Sequence, residues 1–549
     1  MNRTDDIRDN EPGDTSKRRF LQLAGGGIAG LGLAGISMNA SAGDDTIEAA
    51  SNLDAGRRTQ AYQRRLAAAR SQKIAFEFEQ ITNGDEAAIP NYAACYSKGL
   101  PHNDLGEVDA GAYRALLKAA RSGKSVDLAA VPMGAPGAKL INSRAGFNFS
   151  LYGPDAQGLT IAPPAAFSSA EIGADMAEAY WGALTRDVPF IEYDDNSLLG
   201  EAAADLAKQP GYQGPANPSP DNLFRIAFPG VLDGPWLSQF FWMPLANGPY
   251  SSEQVLKPPV VGVDFGATYE EWLSFQRGAG GSTPAGTTAR YVATARDLTR
   301  VLQLDVPFGS PFVHEHQAFL NLLRLGVPRN PFLPALAPND NAGENLGPGL
   351  VPQLIGQCGS MALQPVFWQK WQVHRRLRPE AYGGRVHNVM RKFGVYPVSN
   401  DLLNSAALQK TFSKQGTYLL SQAWKGGCPA HPSYPSAHSV VAGSTVTVLK
   451  AFYNGDTVIA NPVVANADGS ALLPYSGATL TIEGELNKLA ANIGMSRIHN
   501  GIHYRSDSVQ GLLLGERIAL NFLAELRTLY ADAFEGFHFR GFDGSSVTV

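Results

Sequence analysis

Apolar residues along this chain recur mostly three and four positions apart, the period of a helix with one buried face. The stretch 56–82, centred on Ala61-Tyr-Gln-Arg-Arg-Leu-Ala-Ala-Ala-Arg70, reads as an Arg/Ala-rich helix. The same spacing predicts helices over 110–121, 169–184, 198–207, 289–304 and 313–325. A last long helix follows residue 503, where Val509, Leu512, Leu513, Ile518, Phe522 and Leu526 share a face. Alternating apolar and polar runs, the mark of half-buried strands, are few, and Ile459–Thr481 has room for a small hairpin. Pro/Gly-rich loops separate the helices, most clearly at 209–222 and 278–287. Neither loop ends in a change of composition, so both belong inside one large unit. The expectation is a mainly α fold with a few short hairpins and no internal repeat.

Composition narrows the function classes. A chain of 549 residues can bury a large core. Its net charge of −5 and the absence of a polybasic region speak against nucleic acid as a partner, and any anion site must be local. The N-terminus adds an address. Ser16-Lys17-Arg18-Arg19-Phe20-Leu21-Gln22 opens a Gly/Ala-rich apolar run to Met38, and Ala40-Ser41-Ala42 follows as a small-residue cleavage site. Residues 1–42 thus resemble a twin-arginine export signal, which implies a periplasmic or secreted protein. The run is weakly hydrophobic, against a permanent anchor, and no second run is long enough to span a bilayer. Cys95, Cys358 and Cys428 are odd in number, without CxxC spacing, and read as core thiols. His314-Glu315-His316 has its histidines on different helix faces with no third ligand nearby, the pattern of ordinary histidines. The loop Asn339-Asp340-Asn341-Ala-Gly-Glu344 has oxygen ligands at roughly calcium-loop spacing, an expectation of a structural calcium ion at most.

Three segments carry chemistry. In Ser496-Arg-Ile-His-Asn-Gly-Ile-His-Tyr-Arg-Ser-Asp507, the Asn500-Gly501 pair marks a turn between Arg497 and His503. His503 and Asp507, four apart, share a face if a helix begins near His503. The carboxylate would then fix one ring nitrogen and leave the other as a ligand, with Arg497 on the turn clamping an oxyanion. Taken by itself, the segment reads more readily as a satisfied core histidine beside a surface arginine. In Lys370-Trp-Gln-Val-His-Arg-Arg-Leu-Arg-Pro-Glu380, a helix through Phe367 should end just before Pro379. Lys370, His374 and Arg378 would share one side of it over a rise of about 12 Å. Crowded cations call for an anion, although a basic surface helix has the same pattern. In His431-Pro-Ser-Tyr-Pro-Ser-Ala-His-Ser439, the prolines hold an extended approach and Ser436 caps the apolar helix that follows. The N–H groups of Ala437 and His438 then form an anion site at its positive end. His438 stands ready to exchange protons, and His431 looks into the same space from the extended arm. Together the segments would bind a tetrahedral oxyanion, with His503 as covalent partner of its central atom and His438 as acid–base.

In this order and spacing, Lys370, Arg378-Pro379, Pro435-Ser436-Ala437-His438 and Ser496-Arg497…His503…Asp507 resemble the active site shared by vanadium-dependent haloperoxidases and their acid phosphatase relatives. The seven residues between Lys370 and Arg378 are similar to the algal-type bromoperoxidases and their bacterial relatives. So are Lys98-Gly-Leu-Pro-His-Asn103, Tyr152-Gly-Pro-Asp155 and the stretch 177–190. The resemblance implies two four-helix bundles, with 43–305 as an N-terminal helical part and 306–549 as the part carrying the site. It implies vanadate bonded to His503 and hydrogen-bonded by Lys370, Arg378, Ser436, the Ala437 N–H and Arg497, with Asp507 orienting His503. Hydrogen peroxide would be the oxidant, His438 would move protons and Lys370 would polarise the bound oxidant. A halide would leave as a hypohalous-acid equivalent for small organic acceptors. Within the family, histidine at the position of His431 goes with bromoperoxidases and phenylalanine with chloroperoxidases, which implies bromide and iodide as substrates. A homo-oligomer is implied as well. Two departures stand out: Ala437 replaces the family's glycine, and Phe367 stands where relatives often carry tryptophan or arginine. Two other readings are an acid phosphatase that phosphorylates His503 and an exported oxyanion binder without catalysis. The seven-residue gap, His431 and the chain length weigh against the first, and His438 weighs against the second.

Overall fold

A helix that is apolar or small on every side belongs in an interior, and residues 437–452 have that composition apart from His438 and Lys450. In the computed structural model, which describes residues 45–74, 79–308, 310–339, 343–530 and 534–549, this segment is the central helix. The helices of ten residues or more are α1 Asp45–Ile74, α2 Ala110–Ser122, α3 Ala170–Thr185, α4 Ser197–Leu206, α5 Ala295–Phe308 and α6 Val313–Arg324. They continue as α7 Val351–Trp368, α8 Pro379–Met390, α9 Ala406–Gln415, α10 Ala437–Phe452, α11 Ile482–His499 and α12 Arg505–Arg527. The Arg/Ala-rich helix therefore starts and ends earlier than the sequence pattern predicts, and the helix expected from 289 begins at Ala295.

The central α10 packs on α7, α11 and α12, and α12 also touches α7 and α11. A second group forms where α3 packs on α4, α9 and α11. Helix α11 serves both groups and is buried along its whole length. Its buried Lys488 is matched: Nζ donates to Glu485 Oε1 on the same helix at 2.6 Å and to Asp233 O at 2.5 Å, as a buried charge requires. Small residues let α10 and α12 close on each other. A Cβ on Gly443 would strike Leu512 O, and one on Gly515 would strike Val440 O and sit 2.7 Å from Ser444 N. This close approach brings the N-termini of both helices together, and Ser436 N donates to Asp507 O at 2.9 Å.

Among the described residues, three antiparallel hairpins form: Leu245–Asn247 with Tyr250–Ser252, Val463–Ala465 with Leu472–Pro474, and His538–Arg540 with Ser546–Thr548. The second is the hairpin expected within 459–481. Leu66–Val549 forms one compact unit; the separate unit Met1–Arg65 is described from Asp45 on, as the first part of α1. Residues 1–42, where the sequence suggests an export signal, and residues 340–342 of the oxygen-rich loop lie outside the described residues. All three cysteines are buried free thiols. No helix among the described residues is long and apolar enough to cross a membrane.

One expectation is corrected. Lys370, His374 and Arg378 do not lie along one side of a single helix. Pro365 cannot donate to the helical ladder, and beyond it α7 widens at Gln369–His374 into a π turn, a feature frequent at functional sites. Arg375 N donates to Lys370 O at 3.0 Å, and Arg375 itself is left-handed, at φ 41° and ψ 37°. The helix ends there. Arg378, at φ −77° and ψ 152°, is extended backbone that caps α8.

Candidate active site

The break at Arg375 sorts the four basic residues after Val373 into different tasks. The His374 ring meets Tyr434 edge-on at 5.0 Å. Arg375 pairs with Glu86 at 2.5 Å, and Arg376 pairs with Asp507 at 2.8 Å. Lys370 and Arg378 turn inward, 0% and 1% exposed.

Lys370 Nζ donates to Pro432 O at 2.8 Å and to Ser433 O at 2.7 Å. Arg378 donates from Nε to His431 O at 3.0 Å, and from one terminal nitrogen to Ile502 O at 2.9 Å and His503 Nε2 at 2.8 Å. Its other terminal nitrogen meets His431 Nδ1 at 2.9 Å. Because a guanidinium has no lone pair, Nδ1 of His431 and Nε2 of His503 are the acceptors. His503 Nδ1 therefore carries the proton and donates it to Asp507 Oδ2 at 2.8 Å. Burial, with Arg378 next, holds both imidazoles well below their ordinary range, against the pull of Asp507 on His503. Burial and the Arg378 charge likewise push Lys370 well below the usual lysine range.

Asp507 is in the first turn of α12, where the helix dipole favours a carboxylate. The helix begins at Arg505, two residues after His503, yet the contact expected from the four-residue spacing is made. Its Oδ2 also accepts from Tyr504 N at 3.2 Å and from the Ser433 hydroxyl. Burial raises the Asp507 carboxyl, but Arg376 and His503 outweigh it and keep the group ionised.

Ser436 is the N-cap of α10 and accepts from Ser439 N at 3.4 Å. Ala437 begins the helix, 9% exposed, and His438 in the same turn is partly exposed. Arg497 is not on the turn between the two helices but in the last turn of α11, and one terminal nitrogen donates to Leu302 O on α5 at 2.8 Å. Its charge still bears on Lys370. The turn itself is closed by Gly501 at φ 85°, whose N–H donates to Ile498 O at 2.8 Å, a glycine stop to α11.

The donor set fits an oxyanion. The hydrogen bonds of Lys370 and Arg378 all go to backbone carbonyls and imidazoles, while the nearby carboxylate, Asp507, is engaged by Arg376, Ser433, Tyr504 and His503. Buried cations without a matching anion are costly, and the N–H groups of α10 add to the positive field. His503 Nε2 offers the group a ligand lone pair. Among the described residues, no three His, Cys, Asp or Glu side chains gather as ligands for a metal cation. Two contributors, Ser433 and Arg376, were in plain view in the sequence but not singled out. The surplus of cations between 374 and 378 was the available signal, since one anion does not need them all.

A family model described as the VCPO second helical-bundle domain matches residues 406–532. Over 508 residues the chain is 35% identical to the vanadium-dependent bromoperoxidase of Ascophyllum nodosum, covering 86% of this chain and 88% of that one. The vanadium-dependent bromoperoxidase of Corallina pilulifera is 31% identical over 560 residues, covering 84% and 91%. Among solved structures, the homohexameric second vanadate-dependent bromoperoxidase (AnII) from Ascophyllum nodosum matches with a TM-score of 0.84 at 28% identity, over 89% of this chain and 90% of that one.

Proposed function

This chain belongs to the vanadium-dependent haloperoxidase family, and on that premise we propose that it holds vanadate on His503 and uses hydrogen peroxide to oxidise bromide and iodide. One observation carries the assignment of the site: among the described residues, buried Lys370 and Arg378 bond to carbonyls and imidazoles and to no carboxylate, Arg378 meets His503 Nε2, and Asp507 fixes the His503 proton on Nδ1. When bound, vanadate supplies a Lewis acid that activates peroxide toward a halide.

The chain's residues supply the rest. His503 Nε2 would be the ligand atom, and Arg378, which donates to it in this structure, would with Lys370 and Arg497 neutralise the oxyanion charge. The Ser436 hydroxyl and the Ala437 N–H complete the cradle at the start of α10. A ring nitrogen of His438 would take the proton that peroxide gives up and return it to the departing oxygen. Lys370 would draw charge from the bound oxidant and so favour its attack by a halide. His431, with the Phe367 ring edge-on at 5.3 Å, borders the approach and is the proposed source of the bromide and iodide preference. Small organic acceptors then take the oxidised halogen.

The test pairs two assays on apoprotein reconstituted with vanadate. Bromide- and peroxide-dependent bromination should appear only with vanadate, and His503→Ala should lose vanadate retention and bring bromination to background. Phosphate-ester hydrolysis that vanadate inhibits, without bromination, would overturn the reading in favour of a phosphatase.

Three further proposals stand beside this one. The twin-arginine-like motif supports export, and a chain found only in the cytoplasmic fraction would refute it. The homohexameric relative supports a homo-oligomer, which a monomer in sedimentation would exclude. The oxygen-bearing residues of 339–344 support a structural calcium ion, which a calcium-free elemental analysis of the native protein would exclude.

A further inference from the structure

We propose that Arg376, Ser506 and Asp175 are positioning residues that hold Asp507, and through it His503, in the orientation that presents Nε2 to the oxyanion. This rests on the reading of His503 as the vanadate-bonding residue.

The two oxygens of Asp507 divide their partners. Oδ2 receives His503 Nδ1, Tyr504 N and the Ser433 hydroxyl. Oδ1 receives one terminal nitrogen of Arg376 at 2.8 Å. With every donor on one oxygen, the carboxylate could pivot about that point; the guanidinium on the other oxygen sets its plane. Arg376 is itself held from several directions. Its guanidinium carbon lies 4.0 Å over the Tyr504 ring, and the nitrogen that serves Asp507 also donates to Ser506 Oγ at 2.9 Å. The Ser506 hydroxyl in turn donates to Asp175 Oδ2 at 2.5 Å, and the other terminal nitrogen of Arg376 stands 3.7 Å from the same oxygen.

Asp175 comes from α3, in the second helix group, and is 3% exposed. Among the described residues, Ser506 donates its one side-chain hydrogen bond and Arg376 is its one ion-pair partner. A buried carboxylate so sparsely served costs stability, and burial pushes its pKa up to about 7. Its geometric result is an arginine held between two carboxylates. The chain of contacts runs from α3 through Arg376 to the first turn of α12 and ends on His503, so the ligand histidine is braced from both helix groups. Residues that orient a ligand histidine commonly change metal affinity by about 10- to 100-fold when removed.

Charge and position make opposite forecasts for Asp175→Asn. Removing a carboxylate leaves the site as positive or more so, which by charge should leave oxyanion binding unchanged or tighter. If position governs, Arg376 loses its anchor and binding weakens. Orthovanadate is titrated into the vanadate-free protein, and the His503 ring nitrogens are read separately by 15N shifts in histidine-labelled protein. Asp175→Asn and the uncharged Ser506→Ala should each raise the vanadate Kd by about tenfold, and His503 should move from the single Nδ1-protonated form toward a mixture. Arg376→Met should do more than either, and Arg376→Lys should recover part of the loss. Unchanged or tighter binding with an unchanged His503 tautomer, in any one of these variants that retains the wild-type near-ultraviolet circular dichroism, overturns the proposal. Ser506→Ala removes only an oxygen and keeps the test open if the charged-site variants do not fold. His503→Ala separates the two failures. If it binds vanadate like the wild type, the reading of His503 falls; if it loses binding while the other variants keep it, only the positioning proposal falls.

Discussion

His431 shows how much one side chain carries at this site. Its Nδ1 accepts from Arg378, its carbonyl accepts from the same arginine, and its ring meets Phe367 edge-on. A phenylalanine there would keep the buried ring and the carbonyl but free one Arg378 nitrogen to turn toward an anion. His431→Phe should therefore shift the bromide-to-chloride ratio of kcat/KM by about tenfold toward chloride, equivalent to about 1.4 kcal/mol in relative barrier. Parallel steady-state assays with the two halides measure it, and an unchanged ratio would remove His431 from halide choice. At this scale the sequence was highly legible, because histidines beside prolines and a capping serine have few structural excuses. Arg376 was not, because a basic run does not reveal which cation meets a carboxylate and which meets the anion. That division depends on the left-handed turn at Arg375, and nothing in a propensity pattern announces a left-handed arginine.

Between elements, the decisive contact is that of α10 with α12. Gly515 faces Val440 O and Ser444 N, backbone atoms that cannot swing away as a side chain can. Gly515→Ala must part the two helices, and overpacking of this kind costs about 1–3 kcal/mol or more. The same displacement would stretch the bond from Ser436 N to Asp507 O that joins the two halves of the site. We expect Gly515→Ala to lower the urea midpoint by that equivalent with an unchanged slope and to weaken vanadate binding. A midpoint within the equivalent of about 0.5 kcal/mol of the wild type would show that the helices can yield. The helices starting near 110, 170, 197 and 313 followed from apolar spacing because those faces are simply buried. The π turn at Gln369–His374 did not, since its apolar pattern is that of an ordinary helix and the change lies in the backbone hydrogen bonds after Pro365.

Across the whole molecule, the buried histidines dictate how stability should follow pH. Desolvation by burial lowers His102 and His387 to about 4, and His374 and His499 to about 3. Below the ordinary pKa near 6.5, the unfolded chain takes up protons at these positions that the folded chain refuses until about pH 4. Stability therefore rises with pH between about 4 and 6.5 and falls on acidification through that window. Asp175 works the other way: raised to about 7, it binds a proton in the folded state between its ordinary value near 3.9 and 7, which offsets one histidine. The four histidines outweigh it. Even one net proton amounts to about 1.4 kcal/mol per pH unit, or about 2 kcal/mol from pH 6.5 to 5. Urea midpoints of the vanadate-free protein should fall accordingly between these two pH values, and more steeply in Asp175→Asn, which removes the offset. Vanadate at 100 times its Kd should add about 2.7 kcal/mol by binding the folded state. A midpoint that holds steady or rises on acidification would mean that the interior admits protons far more readily than these buried rings allow.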